Sequence, residues 1–380
     1  RVIAYSHMRK DEDNTNSRCQ AHAAQAMAVA VELSAARSFF LPEILALDPD
    51  QVKGWIQETP GLQVYAHYLE NILRLQPHTL PAEQEELLAA AGEMAQAPGN
   101  IFRMFNNADL KFPEVKNDHG EVVELTHGRY GQLLESQQRE VRKGAFDALY
   151  ATYASWKNTL GATFVASAKK ELYFARARKY RSSLEAALYE DNVAPEVYTN
   201  LVSSIHDHLP LLHRYVRLRK KLLGLEELHM YDLYVPMVAD QDMEIPRQEA
   251  VGMVQTGLHH LGAQYLSDLD KSFTDGWIDW LENRGKTSGA YSWGTYGVHP
   301  YVLLNYKETL NDVFTLAHEL GHAMHTFYSD KNQEFVNAGY TIFVAEVAST
   351  LNEALLMDDL LRKTKDPKKR AYLLNHFLEQ

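Results

Sequence analysis

The 380-residue chain has a single cysteine, Cys19. One thiol excludes an internal disulfide and a cysteine-built zinc site. It fits a reducing compartment, so a cytoplasmic location is expected. No apolar run is long enough to span a membrane. The Ala-rich stretch from Ala21 to Ala36 comes nearest, and Gln25 and Glu32 interrupt it. The net charge is −12 and no basic stripe stands out, so neither nucleic acid nor membrane is an expected partner. There is no internal repeat and no low-complexity segment. Glycine and proline are sparse over the first 280 residues. The chain starts at Arg1 and stops at Gln380 inside a helical pattern, Tyr372 to Leu378, so a fragment is expected.

The hydrophobic share of 46% suits a large core and two or more lobes. Apolar residues recur mostly three and four apart, which predicts a mainly α-helical fold. The expected helices run from Ser17 to Arg37, Asp50 to Gln57, Gln63 to Leu75, Ala82 to Gln96 and Pro195 to Leu223. A longer one, Arg129 to Lys179, should break near Gly161. Phe112 to Leu125 reads instead as a small hairpin turning at His119-Gly120. Three segments are expected: an N-terminal helical arm (1–44), a helical lobe with the hairpin (45–128), and the remainder (129–380).

Composition changes at Arg284 to Tyr306, where Gly285, Gly289, Gly294 and Gly297 alternate with Tyr291, Trp293, Tyr296 and Tyr301. This predicts one or two short strands, with structural aromatic packing as the alternative use. Just beyond lies H-E-x-x-H, as His318, Glu319 and His322. On a helix, positions four apart share a face, so two imidazoles aim at one point where they can share a metal. The motif is a known zinc-protease signature. Apolar neighbours from Val313 to Phe327 predict a helix buried nearly all round. Thr309 with Asp312 resembles a capping box at its start. Gly321 weakens a helix by about 1 kcal/mol relative to alanine, which makes sense if something passes close beside it.

Catalytic zinc takes three protein ligands. A metzincin would need glycine and histidine where His325 and Tyr328 stand. Thermolysin-like spacing would need glutamate at Ile342. On the next helical segment, Ile342 to Leu360, Glu346 lies among apolar residues. There an unpaired carboxylate would be costly, and a metal would resolve the cost. Glu353, two turns on, is a weaker candidate for ligand or support.

H-E-L-G-H-A-M-H followed by F-V-A-E-V-A-S resembles oligoendopeptidase F, a relative of thimet oligopeptidase. Gly289-Ala290-Tyr291, Pro300-Tyr301 with Asn305, and Phe39 to Ile44 also read like this family, so the resemblance covers most of the chain. One departure is Ala348, where family members often carry proline. The resemblance implies one zinc per chain on His318, His322 and Glu346, with Glu319 as general base. It also implies that histidine and tyrosine donors to the oxyanion come from a C-terminal segment this chain lacks.

The expected fold is then a mainly α, two-lobed helical metallopeptidase with a deep cleft and a small β element beside the zinc helix. Residues 129–380 would form the peptidase domain. The expected function is zinc-dependent endopeptidase action on short peptides, with the metal's water as nucleophile. The upstream strand, at Gly289, Ala290 and Tyr291, would hold substrate through backbone groups. Two alternatives stay open: a helical peptide-binding protein with a structural or vestigial metal site, and a carboxypeptidase-type relative. Peptide preference and oligomeric state are left open. His325, Ser349 and Thr350 are minor candidates for support. His206-Asp207-His208 and His259-His260 read as ordinary surface or capping histidines.

Overall fold

Period-three-and-four apolar patterning becomes helix along almost the whole chain. The computed structural model describes residues 1–238 and 244–379. Two compact units arise, and the chain crosses between them twice: residues 1–76 join residues 240–380, while residues 77–239 form the other. The first stretch carries α1 (Val2–Glu12), α2 (Ser17–Ala36), α3 (Phe40–Leu45), α4 (Pro49–Glu58) and α5 (Ala66–Arg74). Next come α6 (Ala82–Ala95), α7 (Ala97–Met104), β1 (Glu114–Lys116), β2 (Val122–Glu124), α8 (His127–Leu134), α9 (Arg139–Ser155), α10 (Lys157–Ala177), α11 (Ser183–Tyr189) and α12 (Pro195–Leu222). The return stretch holds α13 (Arg247–Gly257), α14 (Ala263–Thr274), β3 (Ile278–Asp279), β4 (Tyr291–Thr295), β5 (Val298–Leu303), α15 (Leu310–Asn332), α16 (Ile342–Lys363) and α17 (Pro367–Glu379). The fold is therefore mainly α with small sheets. Among the described residues no helix is long and apolar enough to cross a membrane.

The compact units do not follow the boundaries expected at 44 and 128. The reason lies in contacts remote in sequence. Asn14 N–H donates to the Gly285 carbonyl (2.7 Å), and Asn337 Nδ2 donates to the Val64 carbonyl (3.0 Å), so both ends of the N-terminal stretch tie to the C-terminal part.

In the middle unit the hairpin forms as expected. β1 and β2 are antiparallel, and Gly120 at φ 75° takes the left-handed position in the turn. The long helix expected from Arg129 breaks twice, once a few residues before Gly161, close to the expected place, and once much earlier. It stops after Leu134, where Ser136 Oγ accepts from Gln138 N–H (3.0 Å), and again at Trp156; Gly161 lies inside α10. A buried carboxylate, Asp232, is satisfied by Arg142 (2.7 Å) and Arg139 (3.0 Å). Buried charge needs such pairing.

In the other unit β5 lies between β3, parallel to it, and β4, antiparallel to it. β4 is thus an edge strand. α15 packs across the sheet and is buried from Leu310 to Met324 on most positions, as its sequence predicts. Its start is the expected capping box, with Thr309 and Asp312 exchanging side-chain-to-backbone bonds. α16 crosses α15 at backbone contact. A Cβ on Gly321 would lie 2.6 Å from Ser349 Cα and 2.8 Å from the Ala348 carbonyl, which explains the glycine. Asn352, buried on α16, donates to the Ala317 carbonyl (3.0 Å) and pins the crossing. α14 joins through buried Asp268, which accepts from Lys271 (2.5 Å), Gln264 (3.0 Å) and Tyr328 of α15 (3.1 Å).

Candidate functional site

The i, i+4 spacing on α15 brings the rings of His318 and His322 together, with Nε2 atoms 3.2 Å apart. The α15–α16 crossing then delivers Glu346, whose Oε2 lies 3.6 Å from each Nε2. Among the described residues, this is the one group of three side chains placed to hold a metal ion. Zinc-to-nitrogen bonds of about 2.0–2.1 Å in a tetrahedron put neighbouring ligands about 3.3 Å apart, so the triangle fits zinc.

The other ring atoms are accounted for. His318 Nδ1–H donates to Glu353 Oε1 (2.5 Å), and the ring of His322 hydrogen-bonds the Ala345 backbone. Each imidazole is thereby oriented, and its Nε2 lone pair is turned toward the other and toward a carboxylate. Three electron-rich atoms at this spacing call for a cation. Glu353 occupies the support position anticipated as one of its two roles. Ser349 Oγ, fully buried, donates to Glu346 Oε2 (2.9 Å) and holds that carboxylate in place. Thr350 instead bonds the Glu346 carbonyl of its own helix (2.6 Å).

One premise needs correcting. Glu346 is not buried: its side chain is 47% exposed, and so are its apolar neighbours Phe343 and Val347. The apolar sequence around it faces outward, so burial does not single out this glutamate; convergence with the histidines does. His325 stands off the triangle, stacked on Tyr340 at 3.8 Å. His206, His208, His259 and His260 are exposed, as expected of surface histidines.

Glu319 is buried, at 7% exposure. Burial pushes its carboxyl up to about 7, with Glu346 adding to the rise, while His318 and a backbone hydrogen bond from Ser292 oppose it. A carboxyl poised near neutrality suits a proton acceptor. The bond from His318 to Glu353 raises the His318 pKa, and burial lowers that of His322.

Chemistry-bearing groups of β4 follow from its ladder. Val302 and Leu304 direct their N–H groups to Trp277 and Asp279, on the β3 side. Alternation along β5 then turns Leu303 toward β4, so Tyr291, its partner, spends its backbone groups inside the sheet. The backbone of Ser292 therefore faces the open edge, where its N–H bonds the Glu319 carboxylate, and Ala290, just outside the ladder, borders the cavity beside Glu319. The Gly289 carbonyl accepts from Asn305 (2.8 Å). Of the three residues expected to offer backbone to a substrate, Ala290 borders the cavity, Tyr291 turns its backbone into the sheet and Gly289 has its carbonyl taken by Asn305. Ser292 lies one position beyond the stretch singled out in the sequence. A cavity of about 390 Å³ opens beside His318 and Glu319, walled by Ala290, Asn311, Phe314, Thr315 and Glu353.

The pattern of peptidase family M3 matches residues 132–380, and that of oligopeptidase F matches residues 43–112. The chain belongs to peptidase family M3. Among family M3 relatives, oligopeptidase PepF of Bacillus subtilis is 45% identical over 379 residues, all of this chain and 57% of that protein. A peptidase structure from Chlamydophila abortus superposes with a TM-score of 0.92 at 34% identity, covering 99% of this chain and 63% of that one. The oligoendopeptidase-F structure from Enterococcus faecium gives a TM-score of 0.71 at 38% identity, covering 100% and 62%. The family M3 chain described here thus spans 57 to 63% of the length of these relatives.

Proposed function

We propose that this chain carries the catalytic centre of a zinc-dependent endopeptidase that hydrolyses short oligopeptides in the cytoplasm. The observation that carries the reading is the convergence of His318 Nε2, His322 Nε2 and Glu346 Oε2 at 3.2–3.6 Å beside buried Glu319. Membership of family M3, and relatives named as oligopeptidases, support the same reading.

His318, His322 and Glu346 would hold the ion. When bound, zinc acidifies a water toward a pKa of ~7 and polarises a peptide carbonyl. Glu319 takes the proton from the attacking water on its carboxylate and passes it to the leaving amine. The nucleophile is water, so no acyl-enzyme forms. An extended peptide lies along the open edge of β4, paired with the backbone of Ala290 and the carbonyl of Ser292, whose N–H holds Glu319, and its scissile bond faces Glu319. Glu353 keeps the His318 lone pair aimed at the ligand point, and Ser349 does the same for Glu346.

Zinc content by elemental analysis and cleavage of a quenched peptide, with and without chelator, test this reading. Glu319→Gln keeps shape and should keep zinc, while turnover falls by about 10²–10⁴-fold. A protein that binds zinc and peptide yet never cleaves would be a binding module instead. Full zinc with near-unaltered turnover in Glu319→Gln would remove Glu319 from the mechanism.

A further inference from the structure

The substrate edge is gripped from outside by the N-terminal helix. Thr287 N–H donates to the Asp11 carbonyl (2.8 Å) and Thr287 Oγ1 to Asp11 Oδ1 (2.9 Å). Tyr291 OH donates to the other oxygen, Asp11 Oδ2 (3.1 Å). One carboxylate at the end of α1 thus holds two points that bracket residues 288–290. Asn14 Nδ2 adds a bond to Thr287 Oγ1 (2.9 Å). From the opposite side Asn305 Nδ2 donates to the carbonyls of Thr287 (3.0 Å) and Gly289 (2.8 Å).

The β4–β5 register starts at Tyr291, so Ala290 lies one residue outside the ladder. Gly289, at φ 82°, turns the chain just before it. Nothing in the sheet therefore fixes where Ala290 sits; the bonds at Thr287, Gly289 and Tyr291 do. We propose that Asp11 is a positioning residue for peptide binding, setting the height of the substrate edge at Ala290, just before the β4 ladder, through Thr287 and Tyr291. This rests on the peptidase reading above. Strand β4 itself survives loss of Asp11, because its ladder to β5 is independent of that carboxylate. What shifts is the backbone at Ala290, held between Thr287 and Tyr291, which lie 276 and 280 residues from Asp11 in sequence.

Asp11→Ala and Asp11→Asn are the variants, with Tyr291→Phe as the partner substitution. Zinc content and thermal melts establish that each variant is folded and loaded. Two probes are used: a quenched peptide long enough to run past Ser292 along the edge, and a tripeptide ester too short to do so. For the long peptide, KM should rise about tenfold in Asp11→Ala with kcat within about twofold, since a backbone pairing is lost equally in ground and transition states. Asp11→Asn keeps one acceptor and should fall between. Tyr291→Phe should add little in the Asp11→Ala background, because the shared bond is already gone. The short substrate should be unaffected. Equal losses for both probes, a fall in kcat at constant KM, or an unaltered KM for the long peptide would each overturn the positioning role while leaving the peptidase reading intact. If the unaltered zinc-loaded protein neither binds nor cleaves either probe, the peptidase reading fails, and this inference with it.

Discussion

Gly321→Ala probes how the two metal-bearing helices meet. Gly321 lies between His318 and His322 on α15, and its added Cβ would sit 2.6 Å from Ser349 Cα, 2.8 Å from the Ala348 carbonyl and 2.9 Å from Ser349 N. All three are backbone atoms, so no rotamer relieves the overlap. Restoring an ordinary contact of 3.4 Å requires α16 to back away by about 0.8 Å along that line. Glu346 is one turn before Ser349 and is bonded to it, so the carboxylate moves too. Metal–ligand distances hold only within about 0.2 Å of ideal, so the shift exceeds the tolerance about fourfold. Overpacking costs about 1–3 kcal/mol, and alanine recovers about 1 kcal/mol of helix propensity over glycine. Net stability should therefore drop by only about 0–2 kcal/mol, whereas zinc affinity should fall more than tenfold. Zinc titration against a competing chelator, set beside urea unfolding of the metal-free protein, separates the two quantities. Unaltered zinc affinity in a cooperatively folding Gly321→Ala protein would refute this reasoning.

Glu353→Ala should weaken zinc binding by about 10–100-fold, because His318 loses the acceptor that orients its ring. Glu353→Gln keeps an acceptor oxygen and should lose less; equal losses in a chelator competition would argue against orientation as the role. Asp268, on α14, gives a pH signature. Bonds from Lys271 and then Gln264 hold its carboxyl down to about 2, below its ordinary 3.8. Since the folded state depresses this pKa, its contribution to stability is present above pH 3.8 and disappears as pH falls through about 2. Asp268→Asn should flatten the stability profile in that window, measured by urea unfolding at stepped pH, and an unchanged acid slope would count against it.

Local patterning determined much of this protein. Local signals were enough for α2, α4, α5, α6, α12, α15 and α16, the Thr309–Asp312 capping box, the hairpin turn and the strands before α15, because each depends on neighbours a few residues away, whereas α1, α7, α13 and α14 were not singled out. The i, i+4 histidines paired for the same reason: helical geometry is local. The break after Leu134 was hidden, since a serine competing for a backbone N–H leaves little trace beside a glycine further on. Glu346 was named from the sequence for a burial it does not have; its convergence with the histidines is a property of the α15–α16 crossing. Only the tertiary structure decided that Ser292, not Tyr291, faces the edge, because a strand's orientation is set by the partner it pairs with. Likewise, no local signal marks Asp11, whereas Glu353 was legible from its helical spacing to Glu346 and Asn305 only through the resemblance. Their roles arise when chain segments far apart in sequence pack together, and hydrogen bonds of about 3 Å then link groups whose identities carry no record of one another.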